Sequence, residues 1–323
     1  MRIVITGGGG FLGQSVARAL LARGGLGAGP GASTELTELV LVDQVMPQGG
    51  VADPRVRQAT GDIADRAFIK RVFAPPTHAV FHLAAVVSAG AEADFDLGYR
   101  VNLDAMRPVL EACRQQSHPA RLVFTSSVAA FGGELPDIVN DATAATPQSS
   151  YGAQKVIGEL LVADYARKGY LDGRCVRLPT IVVRPGRPNR AASGFMSSIL
   201  REPLSGESAI CPVPLDARMW ISSPARAVDA LLRAMELPAA LWGSNRTLNA
   251  PGITVSVAEA LAALARIGGK ACVERVRFAP DSAIEKIVLS WPARFATARA
   301  GALGFGVDSG IDDVINLHRQ TRP

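Results

Sequence analysis

What this sequence has little of narrows it first. Among 323 residues there are four cysteines, Cys113, Cys175, Cys211 and Cys272, widely separated and without a CxxC pair. Such spacing excludes a disulfide framework or a zinc ribbon and points to free thiols in a reducing compartment. The four histidines show no metal-ligand spacing, so no metal is expected. No apolar run approaches the ~20 residues of a membrane-spanning helix. The first residues read directly as a strand, with no basic-then-apolar leader, and a cytoplasmic location is expected. Lysine is scarce: five of the 34 basic residues, against 29 arginines. The net charge is +5, yet the arginines are scattered, with no basic block and no aromatic-interleaved stripe, which argues against a nucleic-acid partner.

What is present is a globular composition, 48% hydrophobic and 20% charged, long enough for a large core. Apolar β-branched runs alternate with helix-like segments, the pattern of an α/β chain. Residues 2–6 read as a first strand and 11–23 as a helix with Phe11, Leu12, Val16, Ala19 and Leu20 on one face. The Gly/Ala/Pro-rich stretch 24–31 reads as a surface loop. Further strands are predicted at 39–42, 58–61, 79–83, 122–124 and 174–178, and helices at 65–73, 99–115 and 151–167. Proline and glycine become frequent after 178, which marks a change of organisation.

Gly7, Gly10 and Gly13 fall at the turn between the first strand and the first helix, as GxxGxxG. One glycine permits the tight turn, one lets a pyrophosphate approach the backbone, and one lets the helix pack on the strand. The helix start then offers free N–H groups and a positive dipole end to phosphates. A glycine turn alone is a weak signal, and Asp43 strengthens it. At the end of the second strand a carboxylate can accept hydrogen bonds from the adenosine ribose hydroxyls and repel a 2′-phosphate, so NAD is expected rather than NADP. The gap from Gly13 to Asp43 exceeds the usual spacing of about 20 residues, and the 24–31 stretch accounts for the excess.

Tyr151 and Lys155 are four apart and share one helix face. An ammonium beside a phenol favours the phenolate, so Lys155 is expected to lower the Tyr151 pKa. A tyrosine so tuned takes the proton of an alcohol while hydride leaves the same carbon. A chance YxxxK is expected in about 6% of sequences with four tyrosines and five lysines. The weight therefore comes from the company it keeps: Ser126 and Ser127 follow the 122–124 strand, at the carboxyl end where open α/β sheets bind ligands.

In this order ITGGGGFLG (5–13), LVLVD (39–43), GDI (61–63), HLAA (82–85), VNLDA (101–105), VFTSSVAAFG (123–132) and SSYGAQK (149–155) resemble the extended short-chain dehydrogenase/reductase family, the relatives of nucleotide-sugar epimerases. The resemblance covers about half the chain. It implies a Rossmann-type doubly wound parallel sheet over 1–178, with a return segment at about 221–250, and a smaller C-terminal substrate-binding region over 179–220 and 251–323. It implies Ser127 as the catalytic serine, Tyr151 as the base and Lys155 as the ribose-binding lysine. Asp62 and Ile63 match the adenine contact, Ala84 and Ala85 the segment beside the pyrophosphate and ribose, and Asn102 a supporting helix asparagine. Phe11, Leu12, Pro179 and Ile181 complete the expected cofactor contacts. The helices at 99–115 and 151–167 imply a homodimer.

The chain departs from the sugar-epimerase pattern after residue 178, where Thr180 stands in place of the usual asparagine. The second region also has few aromatics to stack a nucleobase. Its segments 181–189, 193–204 and 215–224 resemble instead the branch of the family that oxidises the four-carbon sugar acid D-erythronate at C2. A carboxylate substrate needs a cation, and the planar fork of arginine suits it. Arg184, Arg187 and Arg218 are the candidates, with Ser88 and Thr180 as further substrate contacts and Trp220 read as core. Three rival readings stay open: a nucleotide-sugar 4-epimerase with retained NAD, a redox sensor that binds the dinucleotide without chemistry, and a nucleic-acid binder. A sensor would typically lack the tyrosine or the lysine.

Overall fold

The computed structural model describes residues 1–27, 33–186 and 191–320. In chain order the strands are β1 (Arg2–Thr6), β2 (Gly25–Gly27), β3 (Ser33–Glu35), β4 (Glu38–Asp43), β5 (Val56–Thr60), β6 (Ala79–His82), β7 (Arg121–Ser127), β8 (Asp172–Leu178), β9 (Thr180–Ile181), β10 (Ala209–Cys211), β11 (Arg218–Ser222), β12 (Thr247–Asn249), β13 (Ile253–Ser256) and β14 (Val276–Phe278). The first helices are α1 (Phe11–Arg23), α2 (Arg66–Val72), α3 (Ser88–Ala93), α4 (Phe95–Tyr99), α5 (Met106–Arg114), α6 (Ser150–Arg167), α7 (Gly194–Leu204) and α8 (Pro224–Glu236).

Seven strands pair in parallel in the order β12-β8-β7-β6-β1-β4-β5. Because β1 lies between β6 and β4, the chain winds outward from it in both directions, which makes the sheet doubly wound. Every residue of β1 is buried, as a strand covered on both faces must be. On one face α1 and α8 pack through Val16, Leu20, Leu231 and Met235 against Ile3, Ile5 and Leu41. On the other, α2, α5 and α6 pack through Ile69, Val109 and Val162 against Val4, Val40 and Val80. A separate core around Val183, Met196, Ile199, Leu261 and Leu264 holds the second region together, with β11 between antiparallel β13 and parallel β9. Within the stretch expected to return to the sheet, β11 belongs to this smaller sheet, whereas α8 and β12 belong to the large one.

Several elements differ from expectation. The described part of the expected surface loop at 24–31 is not simply a loop, since β2 pairs antiparallel with β3 and Leu26 is buried in the main core, while 28–31 lie outside the described residues. The approach is close enough that a Cβ on Gly25 would sit 2.2 Å from the Thr34 carbonyl oxygen. The expected helix over 99–115 is broken into α4, a wide π turn at Arg100–Asp104, and α5. Pro108 has no N–H to offer the Asp104 carbonyl, so the helix changes register ahead of it.

Much of the arginine excess goes into structure. Asp172 accepts from Arg121, Arg174 and Arg246, and Arg174 is wholly buried. Burial works to raise the Asp172 pKa, but the hydrogen bonds and charges of Arg174 and Arg121 outweigh it and hold the carboxyl below its ordinary value. Among the described residues, no helix is long and apolar enough to cross a membrane.

Candidate active site

The carboxyl ends of the parallel strands open into a cleft of about 510 Å³. Its floor is the turn from β1 into α1. Gly7 has φ of +72°, the left-handed region that favours glycine. The turn is tightly packed on its inner side: a Cβ on Gly13 would lie 2.2 Å from the Gly7 carbonyl oxygen, and one on Gly9 2.3 Å from that of Val45. Gly10 differs, because a Cβ there would meet only the Gly7 oxygen, at 3.3 Å. The space over Gly10 therefore belongs to the cleft. It leads to the first turn of α1, whose N-cap is Gly10 and carries no side-chain cap. This cradle fits a pyrophosphate on backbone N–H groups. Replacing Gly13 with alanine is expected to cost about 3 kcal/mol or more, since the opposing atoms are backbone and cannot rotate away. NAD binding should fall with stability. A Gly13→Ala chain that unfolds in denaturant like the parent and binds NAD as tightly would refute this packing argument.

Asp43 closes β4 beside that cradle. Its Oδ2 accepts from the Gly9 N–H at 2.9 Å and its Oδ1 from the Gln44 N–H at 2.8 Å. The carboxylate is thus held at the cleft wall where a ribose diol would lie. Phe11, Leu12, Ile63, Ala84, Ala85, Pro179 and Ile181, expected as cofactor contacts, also line the cleft.

The chemical end of the cleft is built by β7, α6 and the chain after β8. Ser127 ends β7, and its Oγ accepts from the Ala129 N–H at 3.2 Å, which fixes the hydroxyl at the strand tip. Helix α6 starts at an N-cap, Ser149, whose side chain accepts from the Gly152 N–H at 3.2 Å. Gly152 and Gly158 let it lie close: Cβ atoms there would come within 2.1 Å of the Ala129 oxygen and 2.8 Å of the Phe124 ring. Tyr151 and Lys155 therefore enter the cleft from one face of α6.

The electrostatics differ from the expectation that Lys155 tunes Tyr151. Burial pushes the Tyr151 phenol up to about 12, opposed by the Arg184 guanidinium and by a hydrogen bond with Ser127. The Lys155 Nζ lies over two rings, 4.7 Å from the centre of Phe124 and 5.5 Å from that of Tyr151. Burial pushes its own pKa down to about 8, opposed by the charge of Glu159. The cation that counters the rise at Tyr151 is Arg184.

Arg184 is oriented by its surroundings. Its Nε donates to the Ile181 carbonyl at 3.0 Å and its Nη2 to Ser193 Oγ at 2.7 Å. Burial lowers its pKa, against the attraction of Tyr151. No described carboxylate lies within ion-pair distance of it. Thr180 and Ser88 line the same end, Ser88 with its Oγ accepting from the Ala192 N–H at 3.0 Å.

Four predicted contacts fall outside this arrangement or outside the described residues. Arg218 is exposed on β11 and does not line the cleft; its charge adds to the Ser256 hydrogen bonds that lower the Glu259 pKa. Arg187 lies outside the described residues. Asp62 does not line the cleft: its carboxylate accepts from the Ala64 N–H and pairs with Arg100. Asn102 sits behind the wall, with Oδ1 accepting from the Val86 N–H and Nδ2 donating to the Val86 carbonyl and to Gln154. It braces the loop after β6 without reaching the cleft. Trp220 is core, against Phe295. Sequence reasoning missed Ser193 and Trp291, which line the cleft from the second region. Ser193 opens the 193–204 segment that carried the resemblance but was not singled out there, and Trp291 lies in no motif.

Comparison with known proteins gives a consistent picture. The model of the "NAD dependent epimerase/dehydratase family" matches residues 3–245. A D-erythronate dehydrogenase of Cupriavidus necator is 52% identical over 320 residues, 99% of this chain and 98% of that protein. A D-erythronate dehydrogenase of Haemophilus influenzae is 47% identical over 315 residues, 98% of each chain. Among solved structures, one described as the nucleoside-diphosphate-sugar epimerase from Agrobacterium tumefaciens superimposes with a TM-score of 0.91 at 38% identity, covering 100% of this chain and 94% of that one.

Proposed function

The chain belongs to the NAD dependent epimerase/dehydratase family, and on that premise we propose that it is an NAD-dependent dehydrogenase that oxidises D-erythronate at its C2 hydroxyl to the 2-oxo acid. The observation that carries this reading is the half-buried Arg184 guanidinium, held by Ile181 and Ser193, in the same cleft as Tyr151. A half-buried cation with no carboxylate within ion-pair distance among the described residues calls for an anionic ligand. In a 2-hydroxy acid the carboxylate is attached to the carbon that reacts, so anion and hydroxyl arrive together at Arg184 and Tyr151. In a nucleotide sugar the diphosphate lies on the far side of the ring from a reacting C4 hydroxyl, and a cation against the tyrosine serves it poorly. Full-length relatives named D-erythronate dehydrogenase support the same choice.

NAD would lie with its pyrophosphate over Gly10 and the start of α1 and its adenosine ribose on Asp43, and when bound it supplies the hydride acceptor. The residues of the chain do the rest. Arg184 holds the carboxylate, aimed by Ile181 and Ser193. Ser127 donates to or accepts from the substrate oxygen as its charge changes. Tyr151, as phenolate, takes the C2 hydroxyl proton. Lys155 holds the nicotinamide ribose and, once so placed, adds its charge to that of Arg184 in favour of the phenolate. Thr180 and Ser88 face the remaining hydroxyls. We assign substrate recognition to residues 179–220 and 251–323, which supply Arg184, Ser193 and Trp291. The same reading has a cytoplasmic homodimer formed through the helices at 95–114 and 150–167, where Phe95 and Leu160 are exposed.

The test follows NADH formation at 340 nm with D-erythronate, other four- to six-carbon sugar acids and UDP-sugars. Erythronate is expected to give the highest kcat/KM, with no epimerised product from UDP-sugars. Epimerisation together with NAD that stays bound through gel filtration would favour the isomerase instead.

A further inference from the structure

We propose that Glu159 is a positioning residue of this reaction, which ties the serine end of β7 to helix α6 and keeps Lys155 charged. Glu159 is two turns beyond Tyr151 and one beyond Lys155, on the same face of α6, and is 4% exposed. It is fully engaged. Its Oε1 accepts from Ser126 Oγ at 2.5 Å and from Arg177 Nε at 2.7 Å, and its Oε2 from Arg177 Nη2 at 2.6 Å. Ser126 immediately precedes Ser127, so this carboxylate fixes the strand tip that presents the catalytic hydroxyl. A carboxylate carried this deep is costly unless it does something that an apolar pair could not.

Its second effect is electrostatic. Lys155 has no carboxylate within ion-pair distance among the described residues and rests on the faces of Phe124 and Tyr151. The groups around it are few. On α6 they are Tyr151 and Glu159. On β8 they are Cys175, with its thiol held protonated by burial, and Arg177. On β6 there is His82, pushed down to about 3 by burial and by Lys155 itself. Arg184 stands across the cleft. Glu92 of α3 accepts from the Ser150 N–H at the helix start, and Glu111 of α5 meets Tyr165 near its end, both away from this buried stretch. Glu159 is therefore the negative charge that favours the ammonium. Arg177, bonded to both Glu159 oxygens, offsets part of that charge, and its guanidinium lies 4.5 Å from the Phe131 ring centre.

The inference rests on Tyr151 and Lys155 being the working pair, and the experiment separates the two. The pH dependence of kcat/KM for NAD reports groups of the free enzyme. Removing a nearby negative charge makes the ammonium harder to keep, so in Glu159→Gln the alkaline limb should move to lower pH, by about one unit. Glutamine still accepts from Ser126, so a role confined to structure would lower the rate without moving the limb. Glu159→Asp keeps the charge and should leave the limb in place while slowing turnover. Should Glu159→Gln fail to fold around the unpaired Arg177, the pair Glu159→Gln/Arg177→Met, which buries no lone charge, should show a displacement in the same direction but smaller, since the opposing Arg177 charge goes too. An unmoved alkaline limb in whichever of these neutral variants folds overturns the proposal, provided Tyr151→Phe is inactive. An active Tyr151→Phe would instead sink the reading on which it rests.

Discussion

Tyr151→Phe should lower turnover with D-erythronate about 10³-fold while changing the dissociation constant of NAD little. General acid–base groups contribute roughly 10²–10⁴ to a rate, about 3–5 kcal/mol of barrier. Phenylalanine fills the same space, so no cavity forms between α6 and the cleft and the loss reports the hydroxyl alone. The dinucleotide should be held as before, because the glycine turn, Asp43 and Lys155 are all intact. The checks are steady-state NADH formation and a fluorescence titration with NAD. A phenylalanine variant that retains most of its turnover would show that the proton leaves by another route. The parent should also gain activity as pH rises from acid, since a buried phenol resists ionisation and becomes competent only as the phenolate forms. The bound cofactor, Lys155 and Arg184 all act to bring that ionisation into the working range.

Arg184→Met should lower kcat/KM for sugar acids about 10²-fold, the loss expected when a charge-assisted bidentate contact of some 2–3 kcal/mol is removed. Two further outcomes identify the cause. Arg184→Lys should recover little, because an ammonium lacks the planar fork and could not keep both the Ile181 and Ser193 bonds while meeting a carboxylate. The acid limb of the kcat profile should also move to higher pH, since losing a cation that favours the Tyr151 phenolate raises the phenol's pKa. The matching experiment replaces the substrate rather than the protein. A polyol without the carboxylate should react slowly and at similar rates in parent and variant. If Arg184→Met impaired the polyol as strongly as the acid, Arg184 would be a structural residue and the anion would be held elsewhere.

How far the sequence could be read depended on whether a feature was local. The glycine turn, Asp43 at a strand end and the Tyr151–Lys155 spacing are set within a few residues, and each lies where the motif placed it. Asp62 illustrates the limit. Its position at the end of β5 matched a cofactor contact, but Arg100, brought near by the π turn, takes its carboxylate. The role given to Lys155 also needed revision. Spacing put it beside the tyrosine, but only the packing of Phe124 under the ammonium and of Arg184 across the cleft shows which charge the phenol feels.

By itself the sequence determined the doubly wound sheet, NAD as the cofactor, and Ser127, Tyr151 and Lys155 as the candidates for the chemical step. The sheet follows from short-range periodicity and the place of the site from the rule that ligands gather at the carboxyl ends of parallel strands, whereas the three roles are what the family resemblance implies. Only the tertiary structure separated the described candidate arginines, by placing Arg184 at the cleft and Arg218 away from it. Arg184 and Arg218 look alike along the chain. One is folded in against Ser193 beneath the cleft and the other stands on the outer end of β11 in water. The buried link from Ser126 through Glu159 to Arg177 is of the same kind. It joins residues from three separate elements, and burial, which makes a charge consequential, is a property of the folded chain and not of any segment in it.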